Sequence, residues 1–312
     1  MNSNENNVII MGMFHKRTTV HNDEPIYLSV VLCTYNDSKY IWESINSILR
    51  QSYPYFEFII VNDGSTDNTL DIINSFQDDR IVLVDKPNTG LVDSLNVGIS
   101  HAKYDWIARM DGDDVADINR FKNQIPYIRK GYDVIGGGAV YIDMESRELY
   151  PAHPAKRDII IKFLLSIGIG QIIHPAAIIN KNKLLAIGGY DSHIICAQDK
   201  DLWLMLYHSC KMINIPEIVL KYRINTAGIS VSKKDKQRLF GLVAFVKFKK
   251  KIYRPLTDEE YDRISNNIVN NEEYSVFLRI CETEGTGVLR SKYLALKQII
   301  KYNLLANRIS RL

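Results

Sequence analysis

Short runs of apolar, often β-branched residues alternate along the chain with stretches whose apolar residues recur every three or four positions. Leu28-Ser-Val-Val-Leu-Cys33 is continuous enough to predict a buried strand. It ends in Thr34-Tyr-Asn-Asp37, after which Ile41, Ile45, Ile48 and Leu49 keep helical spacing, with Ser38 as the expected N-cap. Tyr53-Pro54 stops that helix, and Phe56-Glu-Phe-Ile-Ile-Val61 predicts a second strand. Asn62-Asp-Gly-Ser-Thr-Asp67 follows, with Thr66 or Asp67 expected to cap a helix that runs to Phe76. Ile81-Val-Leu-Val84 predicts a third strand, Lys86-Pro-Asn-Thr-Gly90 a turn, and Leu91, Leu95, Val97 and Ile99 another helix. Trp106-Ile-Ala-Arg-Met110 then runs as a strand directly into Asp111-Gly-Asp-Asp114.

Strand and helix alternating at this spacing mean βαβ units and a mainly parallel sheet. The loop after each strand falls on one edge, so Tyr35, Asp63 and the three acids Asp111, Asp113 and Asp114 converge although they are far apart in sequence. Carboxylates gathered at one spot repel each other unless a cation lies between them. Such hard oxygen ligands suit Mg²⁺ or Mn²⁺. A polar turn capping the next helix is the plainer reading of the same residues, with Asp114 as its cap.

Length and composition narrow this picture. The 312 residues suffice for one large domain with an appendage, or for two domains. Hydrophobic residues at 46% and charged residues at 24% are the balance of a soluble globular protein. Cys33, Cys196, Cys210 and Cys281 have no metal-ligand spacing and read as reduced thiols of a cytoplasmic protein. No apolar run has the length to cross a bilayer, and Val8–Phe14 lacks the basic leader of a signal peptide. Charge is uneven: residues 232–312 carry 17 Lys+Arg against 9 Asp+Glu, and the rest of the chain 22 against 27. A basic tail on an acidic body predicts contact between the tail and an anionic surface. No helix-turn-helix, zinc or RNA-binding motif points to nucleic acid as that surface.

Four motifs stand in order: Val30-Val-Leu-Cys-Thr-Tyr-Asn36, Val61-Asn-Asp-Gly-Ser-Thr-Asp67, Asn88-Thr-Gly90 and Arg109-Met-Asp-Gly-Asp-Asp114. Together they resemble the nucleotide-binding half of the family 2 glycosyltransferases. The resemblance continues through His174-Pro-Ala-Ala177, Gly188-Gly-Tyr190 and Ala197-Gln-Asp-Lys-Asp-Leu-Trp203, and ends near Tyr222-Arg223. It implies an α/β chain with the GT-A fold, a Rossmann-like, mainly parallel sheet flanked by helices, with a C-terminal helical extension. The expected organisation is an N-terminal extension over 1–27, the GT-A domain over 28–225 and a basic helical region over 226–312. Within the domain, 28–130 would form the nucleotide-binding half and 131–225 the acceptor half.

By the same resemblance the donor is a UDP-sugar and the cofactor Mn²⁺ or Mg²⁺. Thr34 and Tyr35 would line the uracil pocket, and Asp63 would accept the uracil N3–H. Asn62 stands where relatives often have a first acid and is expected to serve the turn. Asp113 would bind the metal directly, and Asp111 would bind it too or hold the ribose. Asp199 takes the place of the general base of an inverting transferase, with Gln198 where relatives usually have Glu. Asp201 competes for that role, although an acid starting a helix is common for dipole reasons. His174, Gly189 and Trp203 would shape the acceptor side, with a satisfied structural histidine as the alternative for His174. Arg223 would pair with the diphosphate or with a local carboxylate, and Asn225 replaces a histidine often found in relatives.

The expected function is therefore an inverting, metal-dependent, non-processive transfer of a hexose to a glycan or lipid-linked acceptor in capsule, lipopolysaccharide or exopolysaccharide synthesis. Gln198 and Asn225 keep open a rival reading, a non-catalytic nucleotide-sugar-binding or scaffold protein. A sugar-1-phosphate nucleotidyltransferase ranks lower, because the first strand is not followed by a Gly-rich, basic phosphate loop. Two tail segments have two readings, peripheral membrane contact or helices packed on the main sheet with a solvated basic face: Leu239–Phe248, which runs into Lys249-Lys-Lys251, and a helical stripe of Leu289, Tyr293, Leu296, Ile300 and Leu304 among basic residues.

Overall fold

The computed structural model describes residues 24–224, 234–271 and, near the C-terminus, 304, 306, 307, 309 and 310. Asn225, nearly all of the extension over 1–27 and nearly all of the stripe from Leu289 lie outside the described residues.

Residues 28–130 follow the predicted alternation. Strand β1 (Leu28–Thr34) leads to α1 (Ile41–Leu49), β2 (Phe56–Asp63) to α2 (Thr69–Asn74), and β3 (Ile81–Lys86) to α3 (Leu91–His101). Then comes β4 (Trp106–Asp111), with the two-residue β5 (Val115–Ala116) and α4 (Arg120–Arg129). β1 pairs in parallel with both β2 and β4, and β2 with β3. The register sets Thr34 beside Asn62 and Cys33 beside Asp111, so the polar strand ends line one edge. Val31 and Cys33 face one core with α3, while Leu28, Val30 and Leu32 face the other with α1 and α4.

Capping departs from expectation. Tyr40, not Ser38, occupies the N-cap of α1 and gives no side-chain bond. Ser38 sits in the preceding turn and its N–H goes to Asp67 Oδ2 at 3.1 Å. Asp67 Oδ1 takes the N–H of Thr69, so Asp67 ties the start of α2 to the loop after β1. Asn62 Oδ1 accepts from Ser65 Oγ at 2.6 Å and serves its turn.

Beyond α4 the chain extends the same sheet with β6 (Val134–Ile142), β7 (Glu148–Ala152), β8 (Ile178–Asn180) and β9 (Met212–Arg223). β8 lies antiparallel between β4 and β6, and β9 lies parallel to β6, giving the order β3-β2-β1-β4-β8-β6-β9-β5 with β7 on β6. Helices α5 (Asp158–Ser166), α6 (Lys181–Ala186) and α7 (Gln198–Met205) pack beside it.

Two further helices, α8 (Lys234–Lys249) and α9 (Asp258–Val269), belong to the same core. Phe240, Leu242, Val243, Ala244, Phe245 and Val246 are buried against the face that carries α7. Of the two readings of Leu239–Phe248, packing against the body of the protein is the one observed, because its apolar side chains complete a core that α7 would otherwise leave open. Among the described residues no helix is long and apolar enough to cross a membrane.

Candidate active site

Four elements meet where β4 ends. Gly112 allows Asp111-Gly-Asp-Asp114 to lie flat on the end of β1, since a Cβ there would stand 2.6 Å from Asp37 Oδ2 and 3.0 Å from Thr34 Oγ1. From α1, the Ser44 hydroxyl reaches the carbonyls of Gly112 (2.8 Å) and Asp114 (2.6 Å). From β9, Arg223 donates its backbone N–H to Asp114 Oδ1 and its Nε–H to the Asp113 carbonyl, both at 2.7 Å. The loop is thus held from three sides before any ligand arrives.

In that frame, Asp111, Asp113 and Asp114 bring carboxylate oxygens within 4.8 Å of one another. Asp114 Oδ2 is buried and has no hydrogen-bond partner. Burial and the charges of Asp111 and Asp37 push the Asp113 carboxyl up to about 7. Burial, with Asp111 and Asp113, raises Asp114 well above the usual range. Burial likewise lifts Asp37, beside the cluster, to about 6. An unpartnered buried oxygen among acids that resist ionising fits a hard divalent cation such as Mn²⁺ or Mg²⁺. Asp114 is no helix cap: α4 starts at Arg120 behind Asn119, and Asp114 is turned inward toward Arg223.

Beneath the acids lies Arg109, 2% exposed and ion-paired with Asp111. Its charge acts on Asp113 and Asp114 on one side and on His174, Tyr190 and Asp199 on the other. Arg109 therefore sits at the electrostatic junction of the two halves. A readable signal existed, because an arginine inside an apolar strand demands a buried partner.

Asp63 projects from β2 onto the Asn88-Thr89-Gly90 motif. Its Oδ1 accepts from the Thr89 N–H at 2.9 Å and pairs with Lys86, and its Oδ2 accepts from the Gly90 N–H at 2.9 Å. Oδ2 keeps a lone pair for one further donor. Tyr35 is 47% exposed at the same edge, whereas Thr34 is 3% exposed with its hydroxyl on Asp37 at 2.8 Å. Thr34 thus shapes the loop from inside and does not line a pocket, because its hydroxyl is needed by Asp37.

Asp199 stands in the first turn of α7, behind Ala197 in the left-handed region (φ 58°). Burial raises its pKa, which makes it a better proton acceptor even though Gln198 contributes no charge. Asp201 points the other way. It is 1% exposed, and its Oδ2 meets Lys247 Nζ at 2.9 Å, so the core and not the helix dipole accounts for this acid.

Four expected site residues have structural partners instead. The Arg223 side chain is 0% exposed and donates to the Asp143 carbonyl, Ser146 and Glu43, so the local carboxylate holds it and a diphosphate does not reach it. His174 Nε2 and the Tyr190 hydroxyl are 2.6 Å apart, and burial together with Arg109 keeps the ring neutral. Trp203 packs edge-on against His174 and is 1% exposed. Gly189 is buried with φ 77°, and a Cβ there would meet Asn96 Oδ1 at 2.7 Å. These residues brace the site from behind; none of them forms an open acceptor wall.

On the acceptor side a cavity of about 300 Å³ opens between Tyr141, His153, Pro154, Gln171, Ile172 and Ile173. Tyr141 on the cavity wall packs edge-on against Tyr222, with ring centroids 5.3 Å apart, next to the Arg223 that holds the acid loop.

Comparison with known proteins yields a consistent picture. Residues 29–188 match the family model described as Glycosyl transferase family 2. An uncharacterised glycosyltransferase of Methanocaldococcus jannaschii is 32% identical over 228 residues, covering 70% of this chain and 77% of the relative. An O-antigen biosynthesis glycosyltransferase of Escherichia coli, WbnJ, is 31% identical over 218 residues, covering 66% of this chain and 82% of its own. The crystal structure of S. aureus TarS 1-349 in complex with UDP-GlcNAc superposes with a TM-score of 0.59 at 17% identity, covering 90% of each chain, and shares the fold.

Proposed function

The chain belongs to glycosyl transferase family 2 and is a glycosyltransferase; on that premise we propose that it transfers one hexose per encounter from a UDP-sugar to a glycan acceptor, with inversion at the anomeric carbon. The observation that carries this reading is the acid cluster over Arg109, with a proton-accepting Asp199 across the same junction. The O-antigen role of the E. coli relative supports a polysaccharide acceptor, which a lipid-linked precursor would satisfy.

In this reading Tyr35 packs on the uracil ring and Asp63 Oδ2 accepts the N3–H, a donor that cytosine lacks. Asp111, Asp113 and Asp114 hold Mn²⁺ or Mg²⁺. An ion bound there would supply positive charge toward the departing diphosphate. Asp199 takes the proton of the acceptor hydroxyl as its oxygen attacks the anomeric carbon from the face opposite the nucleotide. One displacement makes an α-linked donor into a β-linked product. Arg109 pairs with Asp111 and aligns it, and Arg223 fixes the loop that carries Asp113.

Calorimetric titration of UDP and CDP with and without Mn²⁺ tests the donor side. The expected result is Mn²⁺-dependent UDP binding that weakens at least about tenfold in Asp113→Ala and with CDP. Binding indifferent to Mn²⁺, to D113A and to the base would overturn the reading.

A further inference from the structure

Helix α5 has two apolar faces, and the protein covers one of them. Ile161 and Leu165 are buried where α5 packs on β9 and α7. At 100° per residue, Ile159, Ile160 and Phe163 fall on the opposite side. They are 75%, 43% and 61% exposed. Among the described residues no other helix presents three large apolar side chains to solvent.

Cations stand at both ends of this face. Lys156 and Arg157 are exposed just ahead of the helix. At its C-terminal end, Lys249 Nζ, which also lies over the Phe245 and Phe248 rings, is 3.5 Å from the Ser166 carbonyl, and Lys250 and Lys251 follow it in the chain. The acid of the helix itself, Asp158, is engaged by Lys162 at 3.1 Å and by the Met212 N–H at 2.7 Å. An apolar face rimmed by cations matches a bilayer with anionic headgroups. It suits a second copy of this chain poorly, since a two-fold contact would set like charges against each other.

The position of the helix adds a reason for such contact. α5 joins the two walls of the acceptor-side cavity: His153 and Pro154 precede it, and Gln171, Ile172 and Ile173 follow it. We propose that Ile159, Ile160 and Phe163 enter the interface of an anionic phospholipid bilayer and hold the mouth of this cavity at the membrane surface. The functional consequence rests on the acceptor reading above: an acceptor tethered in the membrane would meet the cavity without leaving the lipid. It also moves the membrane contact from Leu239–Phe248, which is buried, to a helix whose charge and periodicity gave no such sign.

Flotation of the full chain with phosphatidylcholine vesicles, with and without about 30% phosphatidylglycerol, tests the proposal. The wild type should float with the anionic vesicles and remain below with phosphatidylcholine alone. The floated fraction should fall at least fivefold in Ile159→Ser/Phe163→Ser and in Lys156→Gln/Arg157→Gln. The melting temperature and Mn²⁺-dependent UDP binding of I159S/F163S should stay at wild-type values, so that neither misfolding nor failure of the donor reading can imitate the result. Equal flotation of the wild type and I159S/F163S overturns the proposal, as does no flotation with either vesicle. A dimer in light scattering that I159S/F163S dissolves would assign the face to a second copy instead.

Discussion

Without a cation beside it, Asp113 is only about half ionised at neutral pH, because burial and the charges of Asp111 and Asp37 push its carboxyl up to about 7 from the ordinary 3.8. The folded chain therefore binds more protons than the unfolded chain between those values, and this residue's contribution to stability declines as pH rises through 7. Asp113→Asn should stabilise the EDTA-treated protein at pH 8 by on the order of 1 kcal/mol, allowing for solvent screening, seen as a higher melting temperature. The same substitution should remove the stabilisation that Mn²⁺ gives the wild type. Scanning calorimetry reads both effects, and a lower melting temperature for D113N in EDTA would contradict the account. Proton and metal compete for the carboxylates of Asp113 and Asp114, so Mn²⁺ affinity should rise by at least roughly tenfold per pH unit as pH climbs toward 7. The acids were legible in sequence because Asp111, Asp113 and Asp114 lie within four positions and need only the strand end to bring them together. Arg223 was not, because its carboxylate partner, Glu43, is 180 residues away. The roles of His174, Gly189 and Trp203 were hidden for the same reason, since Tyr190 and Asn96 turn them inward.

At the scale of elements, α7 depends on α8. Lys247 is 1% exposed and bridges Asp201 of α7 to Asp191, which also takes the Leu256 N–H ahead of α9. Its ammonium is thus the charged contact between the helix that carries Asp199 and the C-terminal helices. Removing it leaves buried Asp201 with no cation and Asp191 with His193 alone, which costs about 3–5 kcal/mol. Lys247→Met should therefore lower the urea midpoint sharply, and adding Asp191→Asn and Asp201→Asn should recover much of the loss. Equal stability of K247M and the wild type would show that solvent reaches the triad. Element type and order were well predicted over residues 28–130, where each strand is a continuous apolar run and each helix a clean periodic stripe. The tail stayed open to two readings for a physical reason. A helix that buries its apolar face in the parent core reads in sequence like one that buries it in lipid, and Lys247 looked like one more surface cation. The exposed face of α5 was equally hidden, because Asp158-Ile-Ile-Ile-Lys-Phe-Leu-Leu165 is apolar nearly all round and does not declare which side is covered.

For the molecule as a whole, the two halves of the sheet meet at Arg109. That single buried charge acts on the acids expected to hold the metal and on the acid expected to take the acceptor proton. The GT-A architecture followed from alternation and motif order, whereas the division of labour between the halves needed the antiparallel β8, which the sequence did not announce. The central claim is that this junction performs a metal-dependent displacement with Asp199 as the base. The most direct test is UDP release in Mn²⁺ from UDP-Glc, UDP-Gal, UDP-GlcNAc and UDP-GalNAc by the wild type and Asp199→Asn, with calorimetric UDP binding measured beside it. The account predicts slow turnover of one donor, abolished by EDTA and reduced about 10²–10⁴-fold in D199N, with Mn²⁺-dependent UDP binding intact. Wild-type turnover by D199N would contradict it and move the base elsewhere.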